Sequence, residues 1–395
     1  MHEIDPDPMA PLPGPPVPWA SSDMPSRRDR PPFHMTDMIA AEPWIAERIL
    51  AAHAAPDGPA AHLAEAVRVS IDGGGGTVVT GCGTSEHAAQ AAAEILGEVT
   101  GSPLIRSVQA FELSLEPPTG GLVIGISHEG ATPATNAAVI AARAAGARTA
   151  MVTVSARSPG AALADIVLET LELDQSWCHT VGYVSPIAAI TAVAGHLTGT
   201  PIPPSVASAL LLGGSATEPA ARALAIADGL MGVERWLVLA SGADRPAGRE
   251  LVLKVEEGAW MPAAYRDLET FLHGHLAATD VTTGLVAIAT DRRGRPTRMA
   301  RVRDALAAAR TIGMPTAAIL SAAADELVAT ELTSTGRIVL PDGPPEVPAA
   351  VASLLGSATA LQTLTERLAR VRDVDPDPIH RDVDRYRAAA EAAEG

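Results

Sequence analysis

The sequence predicts an α/β protein made of two doubly wound domains, each a mostly parallel sheet flanked by helices. Two observations lead to this prediction. Short apolar stretches of strand length alternate with longer alanine-rich stretches of helical length, which is typical of parallel β-α-β units. The same cycle then runs a second time along the chain. With 395 residues and 47% hydrophobic content, the chain is long enough to fill two cores.

Each half supplies four predicted strands. In the first half they cover residues 77–80, 122–127, 149–154 and 165–168, and in the second half 236–241, 285–290, 316–320 and 337–340. Predicted helices cover residues 35–50, with Pro43 near the start, and 186–197, and two more begin at about Ala247 and Thr297.

Composition shifts suggest where the domains begin and end. We expect a disordered proline-rich lead (1–33) followed by an N-terminal helical arm (34–65). A first domain (66–200) and a second domain (233–372) are joined by a linker with a helix (201–232), and a tail (373–395) follows. A proline- and glycine-rich stretch at 198–215 is the expected hinge.

Charge and cysteine usage exclude several classes of function. A net charge of -17 leaves no basic surplus for a nucleic acid partner. Cys82 and Cys178 lack the spacing of a metal site or a disulfide framework, and the histidines show no metal-ligand grouping. No signal peptide and no membrane-spanning segment is expected. We therefore expect a cytoplasmic protein without a metal.

The loops that follow strands are the places to look for a ligand, because ligands of doubly wound sheets bind at the carboxyl ends of strands. In GCGTSEHAA, residues Gly83, Thr84 and Ser85 lie between a strand and a helix, where free N–H groups and hydroxyls favour an anion. An ordinary helix cap is the alternative. A similar loop, ISHEGAT, ends at Thr132 and contains Ser127. Neither loop has the Gly-x-Gly-x-x-Gly spacing of a dinucleotide site, so no cofactor is expected.

These motifs resemble a known family. GCGTSEHAA and ISHEGAT are similar to the first sugar isomerase (SIS) domain in the isomerase half of glucosamine-6-phosphate synthase. LVLKVEEGAWMPAAYRDLETFLHGHLAATD is similar to the corresponding segment of the second SIS domain. The resemblance runs from about Met35 to the C-terminus and implies two tandem SIS domains.

The resemblance also implies roles for particular residues. Ser85, Ser127 and Thr132 match phosphate-binding positions, with Gly83, Thr84, His128 and Glu129 beside them in the two loops. Glu257 matches the catalytic base, Lys254 a lysine that accompanies it, and His273 a histidine that assists ring opening. In the family that histidine comes from a partner subunit, which implies a homodimer. Taken without the resemblance, Glu257 would be read as a solvated carboxylate and His273 as a surface residue.

The chain departs from the family pattern in three respects. The second loop carries His128 and Glu129 where the family has glutamine and serine, and a carboxylate there would repel phosphate by on the order of 1 to 4 kcal/mol. The C-terminal lysine of the family is missing, and Arg381 is expected to position the ligand instead of forming a Schiff base. There is no glutaminase half, so we expect no glutamine-dependent amination by this chain alone.

These observations lead to a functional hypothesis with one alternative. We expect an aldose-ketose isomerase or deaminase that acts on a sugar phosphate or a related amino sugar through a carboxylate proton shuttle. The alternative is a non-catalytic regulatory SIS protein that binds a sugar phosphate. Glu257, Lys254 and His273 favour the enzyme, whereas Glu129 and the missing lysine favour a regulator or a changed substrate.

Overall fold

The computed structural model describes residues 28–394, and most of the predicted disordered lead lies outside the described residues. The chain divides into two compact units. Unit 1 contains Ala40–Gln175 and Val181–Ala209, and unit 2 contains residues 28–39, Ser176–Thr180 and residues 210–394. The short segment Ser176–Thr180 therefore belongs to unit 2, although its neighbours in sequence belong to unit 1.

Unit 1 is built on a five-stranded parallel sheet in the order β2-β1-β3-β4-β5. Its strands are β1 (Thr77–Thr80), β2 (Ile105–Ser107), β3 (Leu122–Ile126), β4 (Arg148–Thr153) and β5 (Ile166–Glu169). Every residue of β1 and β3 is buried, because helices cover both faces of a parallel sheet.

The first helix of unit 1 starts in residues that belong to unit 2, because the boundary between the units falls between Ile39 and Ala40. The helices are α1 (His34–Ala52), α2 (Pro59–Asp72), α3 (Thr84–Thr100), α4 (Ala110–Leu115), α5 (Pro133–Ala144), α6 (Val181–Thr198) and α7 (Pro204–Ser215), whose last residues also lie in unit 2. Among the described helices, α6 alone is long and apolar enough to cross a membrane, but 83% of it is buried in the protein. Packing in a core accounts for its apolar composition.

Unit 2 repeats this topology. Its strands are β6 (Arg235–Ala240), β7 (Ala263–Asp267), β8 (Thr283–Ala289), β9 (Thr316–Ser321) and β10 (Gly336–Leu340). They are parallel and lie in the order β10-β9-β8-β6-β7. Numbered within each unit, both sheets have the order 2-1-3-4-5, in which the first and third strands mark the switch point where ligands bind.

The helices of unit 2 pack on both faces of its sheet. They are α8 (Thr217–Leu230), α9 (Asp244–Ala259), α10 (Leu268–Leu272), α11 (Arg295–Ile312), α12 (Ala322–Asp325), α13 (Ala349–Val371) and α14 (Asp384–Glu394). One core lies between the sheet and helices α8, α9 and α13, and a second lies under α10 and α11. Trp236, which is 1% exposed, is the largest side chain of the first core.

The predicted fold class is confirmed, and all eight predicted strands are present within two residues of their expected ends. Two details of the prediction are wrong. Pro43 lies in the middle of α1 and not near its start. Helix α6 begins at Val181, ahead of the predicted 186, because Pro186 is accommodated inside it. The stretch 198–215, predicted as a hinge, contains the boundary between the two units after Ala209 and also contains helix α7.

Candidate functional site

The loop after β1 forms the tight junction predicted from the sequence. Gly83 precedes helix α3 with a positive φ of 57°, and Thr84 is buried beneath the loop. The backbone N–H of Ser85 donates to the carbonyl of Cys82 at 3.1 Å. The hydroxyl of Ser85 makes no hydrogen bond within the part of the chain that the structure describes. This hydroxyl is therefore the group that Ser85 can offer to a ligand.

The loop after β3 brings its two predicted hydroxyls together. Ser127 Oγ lies 3.1 Å from Thr132 Oγ1, and Thr132 precedes the first residue of α5. Gly130 makes the turn between them with a φ of 70°, and a Cβ at this position would collide with the hydroxyl of Ser158. The turn therefore requires glycine, and it holds the two hydroxyls at the start of a helix.

Cys82 joins the two loops. Its Sγ lies 3.8 Å from the hydroxyl of Thr135 in α5 and 3.9 Å from the amide nitrogen of Gln109. Burial raises the pKa of its thiol, so the thiol stays protonated. Cys82 is a free cysteine that packs at the switch point of unit 1.

His128 and Glu129 take different orientations in the second loop. The buried ring of His128 accepts a hydrogen bond at Nε2 from the backbone N–H of Asp174 at 2.8 Å. His128 thus ties the loop to the segment after β5. Glu129 is partly exposed, and burial together with the nearby charge of Asp174 raises the pKa of its carboxyl. The carboxyl of Glu129 is therefore easier to protonate than that of an ordinary glutamate.

The switch point of unit 2 is filled by the protein's own carboxylates. Asp244, the first residue of α9, is buried and accepts hydrogen bonds from the N–H of Thr290 at 2.7 Å and the hydroxyl of Ser353 at 2.6 Å. Asp291 accepts from the N–H of Ala243 at 2.9 Å and pairs with Arg293 at 3.0 Å. The positions that an anion would take at these strand ends are occupied by side chains, unlike the hydroxyl-lined loops of unit 1.

The strongest ionic cluster in unit 2 lies on α9. Lys254 is wholly buried, and its Nζ is 2.6 Å from the carboxylate of Glu257 and 3.6 Å from that of Glu250. Burial alone would lower the pKa of Lys254, but the charges of Glu257 and Glu250 and the hydrogen bond to Glu257 outweigh it and leave the pKa raised. Glu250 is also wholly buried, whereas the side chain of Glu257 is 25% exposed. Glu257 is thus the member of this cluster that a ligand can reach.

The segment Ser176–Thr180 packs against this cluster. The N–H of Trp177 donates to the carbonyl of Asp377 at 3.1 Å, and Gln362 donates to the carbonyl of Thr180 at 3.2 Å. A Cβ on Gly258, the neighbour of Glu257, would lie 3.0 Å from Cys178 Sγ, so only glycine allows this approach without a shift. The segment is held at both ends.

His179 lies in this segment and was not identified from the sequence as a site residue. It is partly exposed and interacts electrostatically with Lys254, Glu250 and Arg381. No spacing rule in the sequence connects residue 179 with residue 254, because the contact arises from the short excursion of the chain into unit 2.

Arg381 and His273 lie in different surroundings. The guanidinium of Arg381 stacks 4.9 Å from the centre of the Trp177 ring, in the segment that carries His179. The side chain of His273 is 73% exposed, and its ring hydrogen-bonds Glu269 at 2.8 Å. Arg381 therefore joins the group around Lys254, and His273 faces solvent in the single chain.

A protein-family model matches the part of the chain that contains these loops. The SIS domain family matches residues 77–196, from β1 through most of α6, and this match includes both hydroxyl-lined loops. The chain therefore contains an SIS domain in unit 1. No curated protein matches the sequence.

Solved structures match nearly the whole chain at low sequence identity. The C-terminal domain of glucosamine-fructose-6-phosphate aminotransferase from Francisella tularensis is 17% identical with a TM-score of 0.76, and the match covers 89% of this chain and 99% of that one. Tagatose-6-phosphate ketose/aldose isomerase from Escherichia coli is 19% identical with a TM-score of 0.71, covering 90% and 98%. Glucosamine-6-phosphate deaminase from Thermotoga maritima is 14% identical with a TM-score of 0.63, covering 87% and 97%. The protein therefore shares its fold with these three structures.

Proposed function

We propose that the protein is an aldose-ketose isomerase or deaminase that acts on a sugar phosphate or a related amino sugar. The observation that carries the proposal is the pair formed by Lys254 and Glu257. A partly exposed carboxylate 2.6 Å from a fully buried ammonium is held in place beside a positive charge, and such a charge favours the ionised form that a general base needs. The similarity to SIS isomerases and a deaminase supports the proposal.

In the proposed reaction, Glu257 moves a proton between C1 and C2 of the open-chain sugar. Its carboxylate takes the proton from the carbon next to the carbonyl, the C–H electron pair forms a C=C bond, and the carbonyl electrons move to oxygen, which gives an enediolate that becomes the enediol when this oxygen takes a proton from water. For an amino sugar the same step gives an enolamine. Lys254 stays charged throughout because Glu257 and Glu250 flank it, and it orients the base.

The loops of unit 1 carry the groups of a candidate anion site. Ser127 and Thr132 lie 3.1 Å apart at the start of α5, and Ser85 adds a hydroxyl at the start of α3. Hydroxyls and helix N-termini are the groups that hold phosphate in proteins. Glu129 lies beside these hydroxyls in the same loop, and burial and the charge of Asp174 raise the pKa of its carboxyl.

The proposal includes a second SIS domain in unit 2 and a homodimer. The shared 2-1-3-4-5 strand order of the two units supports the tandem arrangement. The exposed position of His273 is compatible with a role in the site of a partner subunit, as the family resemblance implies. We also propose that the protein is located in the cytoplasm.

Turnover assays test the proposal. Fructose 6-phosphate and glucosamine 6-phosphate would be assayed with the unaltered protein, Glu257→Gln and Glu256→Gln. Glu256 is an exposed carboxylate beside Glu257, so its variant makes the same change in charge. We expect Glu257→Gln to lose a factor of about 100 or more in kcat and Glu256→Gln to lose little. An equal loss in both variants, or no turnover by the unaltered protein, would contradict the proposal.

A sugar-phosphate-binding regulator is the second candidate, and Glu129 is the observation that favours it. Glu129 stands where the family has a serine, and a site altered in this way favours a protein that binds a sugar phosphate without turning it over. Saturable binding of a sugar phosphate without turnover would support this candidate.

A further inference from the structure

We propose that the switch point of unit 2 is an anion-binding site whose occupant is the chain's own Asp291 carboxylate. Without that side chain, the site takes an oxyanion such as phosphate. The inference goes beyond the proposed function, because it concerns unit 2 and does not require that the protein be an isomerase.

The loops at this switch point correspond to those that carry the hydroxyls in unit 1. Three residues, 81–83, separate β1 from α3, and three residues, 241–243, separate β6 from α9. The loops after the third strands are also similar in length, with residues 127–132 in unit 1 and residues 290–294 in unit 2. In both units these loops lie at the carboxyl ends of the first and third strands, where ligands of doubly wound sheets bind.

The carboxylate of Asp291 is surrounded by groups that bind oxyanions. Its side chain is 0% exposed, and it accepts a hydrogen bond at 2.9 Å from the N–H of Ala243, the residue before α9. The guanidinium of Arg293 donates to it through Nε at 3.1 Å and through Nη2 at 3.0 Å, and Arg298 donates to it from α11. A helix N-terminus and two guanidinium groups are an arrangement that proteins use for phosphate.

The same contacts keep Asp291 ionised. Burial alone would raise the pKa of its carboxyl, but the hydrogen bonds from Arg293 and Ala243 outweigh burial and leave the pKa lowered. Gly242 permits this packing, since it has a φ of 64° and a Cβ there would overlap the guanidinium of Arg298 and the carboxylate of Asp291. The loop after β6 is thus shaped around an anion that the loop after β8 supplies.

An external oxyanion can reach these groups once the carboxylate is removed. The side chains of Arg293 and Arg298 are 32% and 29% exposed, so solvent has access to their guanidinium groups. Ser241, in the loop before α9, is partly exposed, and its hydroxyl makes no hydrogen bond within the described residues. A phosphate has more oxygens than a carboxylate, and this hydroxyl is available to one of them. With Asp291 in place, we expect the protein to bind no phosphate in unit 2.

The test measures the binding of inorganic phosphate to Asp291→Ala in the full chain. Asp304→Ala is the control, because it removes an exposed aspartate of unit 2 and changes the net charge equally. Isothermal calorimetry counts the phosphates bound per chain, so a phosphate bound in unit 1 contributes equally to every variant. We expect Asp291→Ala to bind one phosphate more than the unaltered protein and Asp304→Ala to bind the same number as the unaltered protein. We expect Arg298→Gln, added to Asp291→Ala, to weaken the gained site at least tenfold.

The outcomes distinguish an anion site from an ordinary network of ion pairs. Equal numbers of bound phosphates in Asp291→Ala and Asp304→Ala would overturn the inference, as would a gained site that Arg298→Gln leaves unaffected. If circular dichroism shows that Asp291→Ala is unfolded in chloride, phosphate at the same ionic strength should restore the native spectrum, because the bound anion replaces the lost carboxylate. A variant that stays unfolded in phosphate also overturns the inference. Turnover by Glu257→Gln bears on the proposed function alone, so the two proposals can fail separately.

Discussion

The ammonium of Lys254 lies 2.6 Å from Glu257 and 3.6 Å from Glu250, so one buried cation serves two carboxylates on the same helix. The spacing of three and four residues places all three on one face of α9. Only Glu257 is partly exposed. The arrangement separates the roles, since Glu250 balances the buried charge and Glu257 is available for chemistry.

Replacing Lys254 tests this arrangement. Lys254→Met leaves the fully buried Glu250 without its cation, and we expect a loss of about 3 to 5 kcal/mol in the free energy of unfolding. Urea denaturation followed by circular dichroism measures the loss. The double variant Lys254→Met with Glu250→Gln removes the uncompensated charge, and we expect it to recover a large part of the stability. Equal stability of the single variant and the unaltered protein would show that the pair contributes nothing.

Removing the hydroxyl of Ser85 tests the anion site of unit 1. We expect Ser85→Ala to weaken binding of glucosamine 6-phosphate by about tenfold, because hydrogen bonds to charged groups contribute about 1.5 to 3 kcal/mol. Ser114→Ala is the control, since its hydroxyl bonds only the carbonyl of Phe111 in the described structure. Isothermal calorimetry gives both affinities. Equal weakening by the two variants would rule out a specific role for Ser85.

Glu129 makes phosphate binding depend on pH. Because burial and Asp174 raise its pKa, the carboxyl is neutral below that pKa and becomes charged as the pH rises through it. As the pH rises through this pKa, we expect the unaltered protein to lose affinity for a sugar phosphate. Glu129→Gln, in which the side chain stays neutral, should not show this loss. The same titration of Glu116→Gln, an exposed carboxylate of unit 1, is the control. Parallel pH profiles for Glu129→Gln and the unaltered protein would place Glu129 away from the ligand.

His179 makes stability depend on pH in the acid range. Its pKa is about 4 in the folded protein and about 6.5 when unfolded, so the unfolded chain binds more protons between these values. Stability attributable to His179 is present above about pH 6.5 and is lost as the pH falls toward 4, on the order of 1 to 3 kcal/mol. We expect His179→Gln to flatten this part of the stability curve. Unfolding midpoints from pH 4 to 7 provide the measurement, and identical slopes would contradict the expected contribution.

The sequence predicted the sheets well because hydrophobic strands and alanine-rich helices alternate with a clear period. Strands β2 and β7 were missed for a physical reason. The β2 sequence Ile-Arg-Ser is short and partly exposed, and every residue of β7 is only partly buried, so neither forms an apolar run. The contact between Lys254 and Glu257 could be predicted because it is local on one helix.

Two other features could not be derived from spacing. His179 lies in the group around Lys254 because the five residues Ser176–Thr180 belong to unit 2 while their sequence neighbours belong to unit 1. Patterns over a few neighbouring residues cannot predict such a long-range contact. The structure also shows that His128 turns its ring to the N–H of Asp174, a contact across 46 positions. Tertiary packing determines which way the side chains of a loop face, and residue types alone do not.

Hydrogen exchange at the sugar carbons tests the central claim most directly. The unaltered protein, Glu257→Gln and Glu256→Gln would each be incubated with fructose 6-phosphate and glucosamine 6-phosphate in D₂O, and deuterium at C1 and C2 would be followed by nuclear magnetic resonance. We predict that the unaltered protein and Glu256→Gln incorporate deuterium at similar rates and that Glu257→Gln is at least 100-fold slower. Incorporation by Glu257→Gln at the unaltered rate would contradict the account.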